Sequence, residues 1–223
     1  MINESIAAES ADYAGYYQKP RTELLDLLGD CVPGSALEIG CGAGANLIAL
    51  KRRLPACKTV GIELRPDAAQ LAQASGQVDQ VLQCDVLAAG PDLFEAGCFD
   101  LLIFSHVLEH FVEPEAVLRH ALAWLRPGGR VLVALPNVRH VSVLWDLLLR
   151  DEFRYQPSGI LDRTHLRFYT RRSAQRMLLD CGLQLLRSEP EFGGGKSILL
   201  NRMTFGRASG FAAYAYNFLM TKP

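Results

Sequence analysis

The chain has 223 residues, 49% of them hydrophobic and 21% charged, which is the balance of a soluble globular protein and not of a disordered or fibrous one. That length suffices for a single domain, residues 1–223, burying roughly 70% of the surface its unfolded chain exposes. With 23 basic and 24 acidic residues the formal net charge is −1, so there is no electrostatic footprint for nucleic acid or for an anionic membrane.

The first residues, "MINESIAAESADYAGYYQ", lack the apolar core of a signal peptide. Residues 1–30 are expected to form an N-terminal helical cap, with Tyr13, Tyr16, Tyr17 and Arg21 available to cover a ligand. "ALEI" (36–39) is a buried strand, and "GANLIALKRRL" (44–54) reads as a helix ending before Pro55. "KTVGIE" (58–63) is a second strand, followed by the helix "PDAAQLAQAS", which starts at Pro66. "QVLQC" (80–84) is a third strand and "FDLLIF" (99–104) a fourth. The helix "EPEAVLRHALAWL" (113–125), with His120 on its surface, leads to a fifth strand, "GRVLVALP" (129–136). Near-continuous apolar strands separated by helices indicate a parallel sheet covered on both faces, an α/β fold.

Beyond strand five the rhythm changes. Residues 137–169 form a long connection containing the amphipathic stretch "VSVLWDLLLRDEF", and a connection of this length in a compact domain is commonly a lid. Thr170 is placed to cap the helix "RRSAQRMLLDC", which Gly182 terminates. "LQLLRSE" (183–189) is a sixth strand, "GGG" (193–195) opens an excursion, and "AYAYNFLMTK" (213–222) is the last strand. No apolar run approaches the ~20 residues of a membrane helix. Cys31, Cys41, Cys57, Cys84, Cys98 and Cys181 form no C-x-x-C pair, and several fall in hydrophobic strands. They read as buried thiols of a reducing compartment, so a cytoplasmic location is expected.

The chemistry concentrates at "EIGCGAGAN", a glycine-rich turn between strand one and its helix. Gly40 and Gly42 permit a tight turn and close backbone approach to a ligand, and Gly44 lets helix and sheet pack. The string also satisfies G-x-G-x-x-A, so alone it admits a dinucleotide. Its acidic company narrows the choice. Glu38 precedes the turn and faces the charged end of a ligand, while Glu63 ends strand two, placed to accept from ribose hydroxyls. Asp85 ends strand three, where a carboxylate can accept from an adenine amino group.

On these residues the sequence resembles the class I S-adenosylmethionine-dependent methyltransferases over roughly residues 21–190. The resemblance implies a Rossmann-like three-layer α/β sandwich, with a seven-stranded, mostly parallel sheet of order 3-2-1-4-5-7-6 whose strand seven is antiparallel. It implies S-adenosylmethionine as cofactor, its methionine part lined by Gly40, Cys41 and Gly42 with Glu38 beneath. Glu63 would bind the ribose, Leu64 would pack on the adenine, and Asp85 with the Val86 amide would read the ring. Ser105 and His106 would lie beside the sulfonium, and Arg21 would reach the cofactor carboxylate. "PNVRH" (136–140) and "GILDRTHLRFYT" (159–170) look like a narrower group of bacterial methyltransferases encoded near polysaccharide-synthesis genes. That likeness implies a small-molecule or glycan acceptor.

"HVLEH" (106–110) has the H-x-x-E-H spacing of an inverted zinc peptidase motif. Such a site needs both histidines well inside a long helix, whereas here the string follows a strand and Pro114 stands four residues on. The sequence is also similar to quinone-biosynthesis O-methyltransferases, which carry E-x-x-E-H here and can use a divalent ion. His106 replaces the first acid, against the oxygen preference of Mg²⁺, so no metal is expected; otherwise His106, Glu109 and His110 would be the ligand set. A hydroxyl acceptor needs its proton removed, and His106, His140 and His165 are the candidate bases, with Asp162 three residues before His165 to orient it. Two other classes stay open: a nicotinamide oxidoreductase would share the first βα unit but has no reason for Asp85 with a C-terminal strand pair, and a catalytically silent cofactor-binding partner of, for example, a glycosyltransferase would look the same at residues 38–86.

Overall fold

The computed structural model describes residues 19–223. Tyr13, Tyr16 and Tyr17 of the expected cap lie outside the described residues, which begin just ahead of a short helix α1 (Thr22–Asp26). The βα alternation then follows as read: β1 (Ser35–Ile39), α2 (Ala45–Arg53), β2 (Lys58–Glu63), α3 (Pro66–Ala74), β3 (Gln80–Gln83), β4 (Phe99–Ser105), α4 (Pro114–Leu122) and β5 (Leu125–Pro136). Beyond β5 come α5 (Val141–Leu149), α6 (Arg171–Asp180), β6 (Gln184–Glu191), α7 (Gly195–Met203), α8 (Ser209–Ala212) and β7 (Ala215–Thr221).

The seven strands form one sheet of order β3-β2-β1-β4-β5-β7-β6. β1 pairs in parallel with both β2 and β4, and β7 runs antiparallel between β5 and β6. Chain order reverses on either side of β1, and open α/β sheets bind ligands in the crevice outside the carboxyl ends at such a reversal. Ile39 stands opposite Ile62 on β2 and Phe104 on β4, so the turns after these three strands share one edge.

Alternation along the central strands divides the core in two. Leu37, Ile39, Leu102, Phe104, Val131 and Val133 face α4 and α6, meeting Val117, Leu118, Met177 and Leu178. Ala36, Leu101, Ile103, Leu132 and Ala134 face the other way, onto Leu24 and Leu25 of α1 and Leu47 and Leu50 of α2. Thr170 caps α6 through a reciprocal pair of bonds with Ser173, as its position before the helix suggested.

Four local expectations need correction. β5 starts at Leu125 and not at 129, because Leu125 pairs with Phe99 across a register shift ahead of the Pro127-Gly128-Gly129 turn. Residues 195–203, read only as part of an excursion opened by "GGG" with no element assigned, are helical. His120 is half-buried, with its ring edge-on to Trp124 at 4.8 Å, and not a surface residue. Cys98 is exposed, while Cys41 and Cys57 are buried as expected. Among the described residues no helix is long and apolar enough to cross a membrane.

Candidate active site

The turn after β1 adopts the conformations its glycines were expected to need: φ is +69° at Gly40, +54° at Gly42 and +80° at Gly44. A Cβ on Gly40 would stand 2.5 Å from the Val107 side chain, so the loop packs directly on the chain leaving β4. Gly61, in the middle of β2, was not singled out from sequence, yet it leaves the notch that seats the Cys41 sulfur: a Cβ there would be 2.5 Å from Sγ. An isolated glycine inside a strand is the available signal for such close approach. Burial raises the Cys41 thiol far above its ordinary range, so it stays protonated.

Glu63 organises the loop. Its Oε2 accepts from the Gly42 amide and its Oε1 from the Arg65 amide, each at 2.8 Å. Leu64 next to it is exposed along the cleft edge. At the end of β3, Asp85 is exposed and accepts from the Leu87 amide at 2.9 Å, forming an Asx turn, while Val86 is buried.

Glu38 is buried with one partner. Asn46 of α2 donates to its Oε1 at 2.7 Å, and Oε2 has none. Burial outweighs that hydrogen bond and, with repulsion from Glu63, pushes the carboxyl up to about 8. Asn46 was missed from sequence; its Oδ1 also accepts from the Arg21 amide at 2.7 Å, tying α1 to the site. The Arg21 guanidinium pairs with Glu191 at 3.0 Å, a contact between residues 170 positions apart. Arg21 was expected to reach a cofactor carboxylate; here its guanidinium has Glu191 as a partner.

Ser105, the last residue of β4, is half-buried, and His106 after it takes φ +53°, a left-handed conformation uncommon for a side-chain-bearing residue and enriched at functional sites. "LEH" forms one turn of 3₁₀ helix, so His106 and His110 do not share a helix face as in a peptidase. Glu109 is wholly buried, and neither carboxylate oxygen has a hydrogen-bond partner. His106 Nδ1 lies 3.4 Å from its Oε1, and His165 Nε2 lies 3.9 Å from the same atom. The Glu109 carbonyl accepts from the Leu166 and Arg167 amides, which ties the 137–169 segment to the end of β4. The rings of His110 and His165 stand 4.8 Å apart.

Glu109, His110 and His165 bring ligand atoms within 4.8 Å of one another and are the described residues that could share a metal ion. The third member is His165 and not His106, because the long segment folds back over the strand end.

The other expected catalytic residues divide. His165 Nδ1 bonds the Ile160 carbonyl at 3.0 Å, and burial lowers its basicity more than Glu109 raises it. Asp162 does not orient that ring: its Oδ1 accepts from the amide and hydroxyl of Thr164, at 2.8 and 2.7 Å. A carboxylate three residues back hydrogen-bonds the local backbone more readily than a ring across the turn. His140 caps α5, its Nδ1 accepting from the Ser142 amide, and burial lowers its basicity too.

The family whose pattern matches this chain is a methyltransferase domain, over residues 12–188. The chain belongs to that family. Membership implies S-adenosylmethionine as the cofactor of the cleft, and the residues fit it: the orphaned Glu38 oxygen is a buried site awaiting a positive group, and this cofactor is cationic. Among curated proteins, the chain is 33% identical over 134 residues to a ubiquinone biosynthesis O-methyltransferase of Xylella fastidiosa, covering 54% of this chain and 52% of that one. It is 30% identical over 146 residues to a trans-aconitate 2-methyltransferase of Pseudomonas aeruginosa, covering 62% and 48%. The chain thus spans about half the length of these relatives. The fold is shared with an S-adenosylmethionine-dependent methyltransferase of Thermotoga maritima, described as a possible histamine N-methyltransferase, with a TM-score of 0.64 at 16% identity over 99% of this chain and 98% of the other.

Proposed function

We propose that this chain transfers a methyl group from S-adenosylmethionine to a hydroxyl oxygen of a small-molecule or glycan acceptor. The observation that carries the reading is the edge built by β1, β2 and β3: a positive-φ glycine loop held by Glu63, with Glu38 and Asp85 at the neighbouring strand ends. When bound, the cofactor would supply an activated methyl group for an acceptor oxygen, with its sulfur as the leaving group that keeps the bonding electron pair.

The residues carry the rest. Gly40, Cys41 and Gly42 would line the methionine part, and Glu38 would stabilise its positive charge. The unused lone pairs of Glu63 would accept from the ribose, Leu64 would cover the adenine, and Asp85 with the Val86 amide would read the base. Ser105 and His106 would flank the methyl, and aligning the acceptor there would be the largest part of the work. The 137–169 segment closes over the acceptor: it leaves the end of β5, its Asn137 is buried and bonded to the Gly210 and Ala213 carbonyls, and Val143 anchors α5 onto Ile160 and Leu161. We infer that turnover needs no metal ion.

A thermal-shift comparison tests the cofactor, with stabilisation by S-adenosylmethionine and none by NAD expected. Transfer of radiolabelled methyl to a panel of sugars, lipids and phenols tests the activity. Stabilisation without transfer to any acceptor would favour a silent cofactor-binding partner protein.

A further inference from the structure

We propose that Glu109 is a positioning residue that fixes the tautomer of His106 and thereby makes His106, and neither His140 nor His165, the base; this rests on the methyl-transfer reading above. Hydrogen-bond inventory decides between the three histidines. Each neutral imidazole carries one proton, and the partner of one nitrogen dictates the state of the other.

His165 uses its Nδ1–H on the Ile160 carbonyl, so its Nε2 is a lone pair facing the Glu109 carboxylate. Two acceptors face each other there, and that nitrogen points at a buried anion and not at the cleft. His140 is the reverse case. Its Nδ1 faces the Ser142 amide at 3.3 Å, which can only donate, and the Ser142 hydroxyl at 2.8 Å, which can donate as well; with Nδ1 accepting, Nε2 carries the proton and cannot take another while the ring is neutral. Only His106 can serve Glu109 from the neutral state, by presenting Nδ1–H to Oε1, 3.4 Å away. The two groups are within reach but not aligned as a hydrogen bond, so a turn of the ring is needed to make it, and catalytic hydrogen bonds are often poorly aligned until substrate binds. The assignment leaves His106 Nε2 as a free lone pair; that atom is buried with no partner, as is His140 Nε2, and the two differ in which of them carries the proton.

Two further observations point the same way. A wholly buried carboxylate with no hydrogen bond is costly, and a neighbouring imidazole able to donate or to become cationic offsets it. His106 is also held in an unfavourable backbone conformation, with its amide bonded to the Ala134 carbonyl at 3.1 Å, in the chain that packs on Gly40. During transfer the acceptor proton passes to His106 Nε2 as the oxygen–carbon bond forms. The imidazolium so formed pairs with Glu109 and would balance the positive charge that the cofactor gives up, and the proton later leaves to solvent. Charge and atoms balance without another reactant.

The experiment reads the tautomer directly and needs no acceptor. Protein labelled with ¹⁵N-histidine is examined by long-range ¹H–¹⁵N correlation at neutral pH in the presence of chelator, and His106 is assigned among the five histidines by loss of its signals in His106→Gln. The Nδ1–H form is expected to predominate at His106 in the unaltered chain and to give way to Nε2–H in Glu109→Leu. An unaltered chain with His106 mainly in the Nε2–H form would overturn the proposal, and this holds even if Glu109→Leu does not fold. Absence of methyl transfer to every acceptor, with His106 in the Nδ1–H form, would instead count against the activity.

Discussion

Glu38 is expected to make the cofactor-free protein less stable as pH rises, and Glu38→Gln should remove that dependence. The carboxyl titrates near 4.5 when unfolded and is pushed up to about 8 in the fold, chiefly by burial. Between those values the native state holds a proton that the unfolded state has released, so raising the pH favours unfolding. The contribution is absent below pH 4.5, grows through the window, and is complete above pH 8. At 1.36 kcal/mol per pH unit the full cost is at most about 5 kcal/mol, and near pH 7 about 3 kcal/mol. Glutamine keeps an oxygen for the Asn46 amide and places an unpaired NH₂ where the protonated acid has an unpaired OH, so the two should differ little at pH 5. Urea unfolding of both proteins from pH 5 to 8.5 measures the difference directly, and other titrating groups cancel in the subtraction. The variant should become the more stable one, progressively, above pH 5. Parallel curves across that range would refute the claim that an unpaired, uncompensated carboxyl sits under the glycine loop.

Four other outcomes are expected. Glu63→Ala should weaken S-adenosylmethionine binding by about 1.5–3 kcal/mol in calorimetry, the worth of hydrogen bonds to a charged group, because both the ribose acceptor and the anchor of the Gly42 amide are lost. His106→Ala should lower the methyl-transfer rate by about 10²–10⁴-fold with cofactor affinity nearly unchanged, whereas His165→Ala should act mainly on the Michaelis constant for the acceptor; wild-type kinetics in both His165→Ala and Asp162→Ala would leave 137–169 as mere packing. Exhaustive chelation should leave turnover intact, and restoration of a lost rate by one divalent ion would instead make Glu109, His110 and His165 a metal site. Burial depresses His140 below its ordinary 6.5, so its contribution to stability is present above that pH and lost as pH falls below it; His140→Gln should flatten that acid-side slope in thermal melts.

Local order was legible because it depends on neighbours in the chain. Alternating βα periodicity located β1 to β5, positive-φ demands explained the glycines of the loop, and Thr170 announced the start of α6. That Glu38, Glu63 and Asp85 lie at one edge of the sheet was legible because parallel strands end at a common edge, so acids near strand ends fall together whatever the rest of the chain does. The order of the last three strands came only through family resemblance, since nothing local makes β7 enter antiparallel between β5 and β6. The helix at 195–203 was hidden by the three glycines that precede and open it, which read as a loop. What decides the chemistry was set by tertiary structure. Glu109 and His165 lie 56 positions apart, Arg21 and Glu191 lie 170 apart, and a carboxylate's partners depend on which segments return to it. A sequence can name five histidines. Which nitrogen of each is free depends on carbonyls, amides and carboxylates brought in by distant chain, and only the folded molecule contains that information.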